Sequence, residues 1–535
     1  MGVPISLNMI ATKDENQYII SYKNYLKQYF PHLTSSQISS LKVAQETDYE
    51  NPSTAIELNN FAVINLIEAE QTNDLSLREF YLDLAIEALE TALNLEETHP
   101  LCITHLGIIN NLLGKNNQAQ NIEYSNLLAL FPSIFLQQNK LTTGLVYLQI
   151  SLRNQQKNKS NLEKIITIDN GYLQAVYLLI ADLEQSQIFF YNSWGLRLLN
   201  LANQIIPNSA DIKLNLGIST IFNQQPEGLL YLYQALQLDQ NNSRIIQALY
   251  LSHLNLNDQE SANNYYQYAN IYYQQNPDNL HWKWASLPLN NSWTYLCFDH
   301  NLLIAVEASF KSIVTAVLLA QEDWFEKEME LWRDEIKPDM MVIDVGANVG
   351  VYTFMAAKRV GKNGKVIAIE PFSGCVECLT ETCRVNNFDW VEICAGAAGK
   401  ENKTVKLSLH QASELNEIIK DDSTIKGDYQ EVECFTLDSL VEKYNLSTVD
   451  WLKLDAEGHE IEVLLGASQI LSNFKPNILY ENIAGSQENN TPVAEYLVSI
   501  GYELFYYQPF VKQLIPLQSL EELSGYLNIV AMFNG

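Results

Sequence analysis

Basic residues are scarce in this chain: 33 Lys and Arg stand against 63 Asp and Glu in 535 residues, a formal charge of −30. Phosphate backbones and anionic lipid surfaces are bound by neutralising negative charge with Lys and Arg. Nucleic acid and membrane are therefore excluded as expected partners. Cysteine is also sparse; seven residues, an odd number without framework spacing, fit reduced thiols in a cytosol better than a disulfide scaffold. Long apolar runs are missing, since the longest, residues 313–320, is far too short to span a bilayer. The start, MGVPISLNMIATKDENQ, has no basic stretch followed by an apolar one and does not read as a signal peptide. A cytoplasmic location is expected.

Glycine is short in one part only: 8 of the 22 fall in residues 1–300 and 14 in the shorter remainder. Helical arrays need few glycines and sheets with tight connections need many. A chain this long exceeds a single core, and 47% hydrophobic with 18% charged residues argues for packed domains rather than disorder. The expected division is an all-α domain over 1–288 and an α/β domain over 289–535. Between them Pro277, Pro288 and an Asn-rich run break the helical pattern.

Upstream of that break the pattern is helix–turn–helix with a period in the mid-thirties. Residues 208–240 form one unit, with Leu216-Gly217 midway along the first helix, Pro226 opening the second and Ala235 near its close. Another pair places Leu84, Ala85, Ala88 and Leu89 before Pro100, then Leu106-Gly107 and Gly114 before Pro132. These units resemble degenerate tetratricopeptide repeats, which bury their apolar faces by stacking into a curved solenoid with a concave surface suited to a protein or peptide partner. An irregular helical domain is the simpler alternative. The tyrosines at 265, 266, 268, 272 and 273 are either a binding face or half-buried helix residues.

After residue 340 short apolar strands alternate with helices, which implies a parallel sheet with helices on both faces. Met341-Val342-Ile343-Asp344-Val345 reads as a buried strand, and Gly346-Ala347-Asn348-Val349-Gly350 turns into a helix from about Tyr352-Thr353. Glycines there allow a tight turn and let a ligand lie on bare backbone at the switch point of the sheet. The helix N-terminus offers N–H groups and a positive dipole end to a carboxylate. A second strand, 365–370, ends in Glu370-Pro371, and Glu370 is placed to accept two ribose hydroxyls. The run is D-x-G-x-x-x-G; the G-x-G-x-x-G of a dinucleotide site is not present. Asp344 is expected to hold an ammonium or to organise the loop.

The segment VIDVGANVGVY at 342–352 is similar to the first motif of FkbM-type methyltransferases, and IAIEP at 367–371 to their second. The resemblance runs on through Ala397 in AGAAG, FTLDSL at 435–440, LKLDAEGHEIEVLLG at 452–466, PNILYE at 476–481, Gly501-Tyr502 and 527–530. It covers residues 290–535. It implies a Rossmann-like fold with a mostly parallel seven-stranded sheet, S-adenosyl-L-methionine as cofactor, and O-methylation of a small-molecule hydroxyl on a sugar, lipid or secondary metabolite. Asp344, Gly346, Ala347, Asn348, Gly350, Tyr352, Thr353, Glu370, Pro371 and Ala397 are the cofactor-binding candidates.

On the acceptor side one strand ends in Asp455 and opens into Ala456-Glu457-Gly458-His459-Glu460, and another ends in Glu481. An alcohol is a poor nucleophile until a base takes its proton. Asp455 is the first choice for that base, with Glu457, His459 and Glu481 as positioning or alternate groups. The competing reading has Glu457 capping a helix, Lys453 only balancing charge, and His459 structural. Such acids also bind a divalent metal such as magnesium, a reading not favoured because they serve equally as bases. An amine acceptor is not favoured either, since no N-P-P-Y loop follows Asp455. A peptide methyltransferase and an interaction protein that only binds cofactor are the rival functions. Cys375-x-x-Cys378 lacks a second pair at zinc spacing and reads as helix packing. Trp324-Phe325-Glu326 reads as part of a helix lidding the cofactor.

Overall fold

The computed structural model describes residues 15–113, 141–148, 162–186, 193–288, 290–410, 413–419, 427–483 and 489–534. The chain packs as two compact units, Met1–Ile188 with Pro509–Val511, and Phe189–Gln508 with Lys512–Gly535.

The first unit is helical: Glu15–Tyr29, Ser40–Glu46, Ala55–Gln71, Leu75–Leu95, Pro100–Leu112 and Gly171–Ser186. Its helix starts follow the sequence. Thr54 and Glu57 form a capping box ahead of Ala55–Gln71, Asp74 caps the next helix, and His99 caps a third with Pro100 in its first turn, each satisfying N–H groups that have no intrahelical partner. The Gly114–Pro132 part of the expected second repeat lies outside the described residues.

Residues 141–148 are neither helix nor strand, and Leu145, Val146, Tyr147 and Leu148 are buried. Among the described residues no strand pairs with this stretch, and its main chain is bonded by side chains instead. The Gln174 amide takes both the N–H and the carbonyl of Gly144, each at 2.9 Å. Asn60 accepts from the N–H of Leu145 at 2.8 Å while Asn59 donates to its carbonyl at 3.1 Å. The N–H groups of Val146, Tyr147 and Leu148 go to the Tyr22 hydroxyl (3.1 Å), His105 Nε2 (3.1 Å) and the Tyr25 hydroxyl (2.7 Å). Buried peptide groups need such partners.

The second unit opens with helices Ser193–Ile205, Ala210–Phe222, Gly228–Leu238, Ser243–Asn255 and Gln259–Gln275. A Cβ on Gly217 would stand 2.6 Å from Leu232 and 3.0 Å from the Gly228 carbonyl, so glycine there is what lets helix Gly228–Leu238 approach. Tyr272 stacks on Trp282 at 4.7 Å, and Tyr266 donates to the Leu287 carbonyl at 3.2 Å. The expected boundary at 288/289 marks the change from helices to strands, whereas the compact units divide near residue 188. Polar side chains tie these helices to the strands and helix next in the chain. Gln247 donates to the Tyr295 carbonyl at 2.8 Å, Asn255 to the Ala308 carbonyl at 3.0 Å, and Gln321 to Asn215 at 3.2 Å.

A hairpin of β1 (Trp293–Phe298) and β2 (Leu302–Glu307) precedes the main sheet. The sheet strands are β3 (Met341–Val345), β4 (Lys365–Glu370), β5 (Val391–Ala395), β9 (Trp451–Leu454), β10 (Asn477–Glu481), β11 (Tyr502–Gln508), β12 (Gln513–Pro516) and β13 (Asn528–Phe533). Their order is β12-β11-β13-β10-β9-β3-β4-β5, parallel from β10 to β5 and antiparallel beyond. The sheet therefore has eight strands where seven were expected. The added β12 pairs back on β11, Phe505 opposite Pro516, and a terminal proline suits an edge strand because it has no N–H to offer. A small sheet, β6 (Ala397–Ala398), β8 (Tyr429–Phe435) and β7 (Lys403–Ser408), flanks it. Among the described residues no helix is long and apolar enough to cross a membrane.

Candidate active site

The order β4-β3-β9 reverses chain direction of travel at β3, so a crevice opens at the C-terminal ends of β3 and β9. Loop 346–350 lies there and is bonded to its own surroundings. The N–H groups of Gly346 and Ala347 both reach the Ile369 carbonyl at 3.0 Å, that of Asn348 reaches Glu370 Oε2 at 2.8 Å, and that of Val349 reaches Asn348 Oδ1 at 2.7 Å. Gly346, Asn348 and Gly350 have left-handed φ values of 75°, 49° and 100°. The loop's own donors are thus committed, which leaves the helix N-terminus as the source of N–H groups that the sequence suggested. Helix Val351–Val360 starts at Gly350, which has no side chain to cap it, and the first-turn N–H groups of Val351 and Tyr352 lack intrahelical acceptors.

Asp344 is buried and accepts from the Thr353 hydroxyl at 2.6 Å, pinning the helix start to β3. Burial pushes its carboxyl up to about 6, against the Thr353 bond and the Lys453 charge. Glu370 ends β4, buried, with its two oxygens accepting from Asn348 and Phe372 N–H at 2.8 Å each. Burial outweighs those bonds and lifts it to about 7. Pro371 follows it directly, and Ala397 lies one residue past Gly396, whose N–H bonds the Glu370 carbonyl at 3.0 Å.

Asp455, Glu457 and Glu481 come together at the ends of β9 and β10, with carboxylate oxygens within 4.8 Å of one another. Glu457 is pushed up to about 8, first by burial and then by Asp455 and Glu460. Glu481 is raised well above the carboxylate range by burial, Asp455 and Glu457. His459 is not in this group; its Nδ1 lies 3.7 Å from Glu462, and a Cβ built on Gly399 would stand 3.4 Å from its Nε2.

Lys453 does more than balance charge. It is buried, donates to Asp455 at 2.9 Å, and sits 4.9 Å over the Tyr352 ring. Burial pulls its pKa down, and the charges of Asp455 and Glu326 outweigh that and raise it above the ordinary lysine value. The following helix, Glu460–Leu465, has no side-chain cap from Glu457 or from any other described residue, and the loop before it is held by Glu460. That buried side chain accepts from the N–H groups of Ala456 (2.9 Å) and Gly458 (3.0 Å) and from Asn490 (2.9 Å), so it shapes the loop carrying Glu457.

Trp324-Phe325-Glu326 lies in a loop rather than on a helix, between Ile313–Gln321 and Glu328–Glu335. Glu326 still reaches the site, accepting from the Tyr352 hydroxyl at 2.6 Å, Trp324 Nε1 at 2.9 Å and Asn528 at 3.1 Å. Beside it Glu328 is buried and lifted to about 7 by burial and by Glu326. Neither Glu328 nor Asn528 stands out in the sequence as a site residue. Asn528 pairs with Glu481 across β13 and β10, a proximity that only the sheet order reveals. Cys375 and Cys378 are buried in helix Ser373–Asn386 as free thiols.

Solved structures similar to the chain include a methyltransferase FkbM from Methylobacillus flagellatus KT (15% identity, 42% of this chain, 55% of that chain, TM-score 0.26). Others are a SAM dependent methyltransferase from Aquifex aeolicus (16%, 39%, 90%, 0.24) and an O-methyltransferase from Bacillus cereus in complex with SAH (12%, 39%, 80%, 0.23). The chain spans little more than half the length of the first. No curated protein matches it. The family model described as a methyltransferase FkbM domain matches residues 344–504, a span that begins at Asp344 and takes in Gly346, Glu370, Asp455, Glu457 and Glu481.

Proposed function

We propose that the protein is an S-adenosylmethionine-dependent O-methyltransferase acting on a hydroxyl of a small molecule, a sugar, lipid or secondary metabolite. The observation that carries this reading is the convergence of Asp455, Glu457 and Glu481 at the strand ends beside the 346–350 loop. The residues present suit the cofactor: Glu370 at the tip of β4 would accept from a ribose, the first turn of Val351–Val360 would offer its N–H groups to a carboxylate, and Asp344 fixes that turn through Thr353. When bound, the sulfonium supplies an activated methyl group and its own leaving group.

What the chain adds is alignment and a proton acceptor. Lys453 orients Asp455, Glu460 orients the Glu457 loop, and burial with the neighbouring Asp455 and Glu460 charges gives Glu457 a carboxyl that exchanges its proton near pH 8. Incubating the full chain with the cofactor and a panel of polyol, lipid and phenolic acceptors, followed by mass spectrometry, tests the proposal. A gain of one methyl on oxygen is expected; methylation on nitrogen, or none with cofactor bound, overturns it.

A peptide acceptor or partner at the helical unit is a second reading. It is favoured by the way Asn59, Asn60, Tyr22, His105 and Gln174 bond main chain rather than side chain in residues 144–147. Deleting that unit would then leave cofactor affinity intact and lower turnover on the natural acceptor.

A further inference from the structure

Three potential ligand atoms of different chemistry meet away from the acid cluster: a nitrogen of His281, the sulfur of Cys297 and a carboxylate oxygen of Glu322, all within 4.8 Å of one another. They come from three elements, the 3-10 turn Leu280–Ser286, the strand β1, and the end of helix Ile313–Gln321. We propose that they form a site for a zinc-class divalent ion, with water completing its coordination.

The chemistry selects the ion. One imidazole, one thiol and one carboxylate match the ligand types of zinc and cobalt(II), whereas an all-oxygen group suits magnesium or calcium. Cys297 and Glu322 are buried, while the His281 side chain is 45% exposed, so the opening for a water ligand is on the His281 side. His281 Nδ1 and Glu322 Oε1 are already 3.0 Å apart, a spacing that two ligands of one ion can keep. The Cys297 thiolate and Glu322 carboxylate would match the charge of a divalent ion. Arg244 stands 3.9 Å from Glu322, but its guanidinium also bonds Asp211 at 3.0 Å, so its charge is matched without taking Glu322 from the site.

Glu322 ends its helix at φ 57°, a left-handed position where glycine or asparagine is the usual residue, and its carboxylate stands beside His281. The ion would fasten the 3-10 turn and the β1–β2 hairpin to the helix end.

The test is cobalt(II) titration of the full chain after chelator treatment. Expected are one equivalent bound with near-ultraviolet thiolate-to-cobalt absorption, displacement by zinc, and affinity that rises with pH because the thiol must lose its proton. Cys297→Ser should lose that absorption while retaining its circular dichroism. His281→Ala, at a half-exposed position, should fold normally and bind cobalt at least about tenfold more weakly. Glu481→Gln should change neither. No thiolate absorption in the parent chain, its survival in Cys297→Ser, or unaltered affinity in His281→Ala overturns the proposal.

Discussion

Gly346 packs on the backbone of Asp455 so closely that a Cβ at residue 346 would stand 1.6 Å from the Asp455 carbonyl oxygen. The cofactor loop and the first acid of the acceptor side are therefore one packed unit. Gly346→Ala should lower the melting temperature without any ligand and weaken cofactor binding, since neither backbone can yield as a flexible side chain would; a loss of roughly 3 kcal/mol is in the range of overpacked sites. Calorimetry and thermal melts check this. Normal stability with weakened binding would return the glycine to the simpler role expected from sequence, leaving room for a ligand.

Asp455→Asn removes the carboxylate facing the buried ammonium of Lys453. Methyl transfer should fall by about 10²-fold or more if this acid takes the acceptor proton, and stability should fall as well, because a buried charge left unpaired is costly. Adding a chelator separates the roles: loss of turnover restored by magnesium would make the acid group a metal site. A fully active variant would move the base to Glu457 or Glu481.

Glu457, held near 8, predicts a pH dependence of rate. Turnover should rise as pH passes through about 8, as this carboxyl gives up its proton and becomes a base, and Glu457→Gln should flatten that limb. A parent profile level from 6 to 9 would exclude the role.

Stability should move the opposite way. Folded-state pKa values raised above the ordinary carboxyl range, about 7 for Glu328 and Glu370 and about 8 for Glu457, mean that the native state binds protons more tightly than the unfolded chain. Their contribution is fully present below the unfolded value and is lost as pH rises through 7 to 8. Melting temperatures should therefore fall from pH 5 to pH 8.5, and less steeply in Glu370→Gln. A rise across that range would contradict the burial of these acids.

A fragment beginning at residue 289 should melt below one beginning at 189. The longer piece keeps Gln247, Asn255 and Asn215 bonded to the hairpin and to helix Ile313–Gln321, and the shorter one exposes the surfaces they cover. Equal melting points would show that those helices do not support the sheet.

The strand–loop–helix at 341–360 and the acids ending β4, β9 and β10 were legible because each is a local pattern, an apolar run followed by glycine or a carboxylate. What sequence could not show depends on pairing between distant segments. Glu326 and Asn528 are 202 residues apart and meet at 3.1 Å. Glu457 caps no helix because the chain turns left-handed there, φ 48°, and its side chain goes to Asp455 and Glu481, while Glu460 bonds the loop N–H groups of Ala456 and Gly458. The eighth strand escaped notice because a four-residue edge hairpin has little periodicity to read.

The segment at 144–148, bonded through its main chain to side chains, sets how the helical unit comes into being. A stacked array gains stability repeat by repeat as each is added. Here Tyr22 waits for a chain segment 124 residues later, and Asn60 for one 85 residues later. At roughly 5–20 residues per second of synthesis, the first helices leave the ribosome on the order of ten seconds before their polar groups meet this segment. Truncating the unit before residue 142 would remove those main-chain partners all at once, so it should be made and lost as a whole, a late all-or-none closure instead of a growing stack.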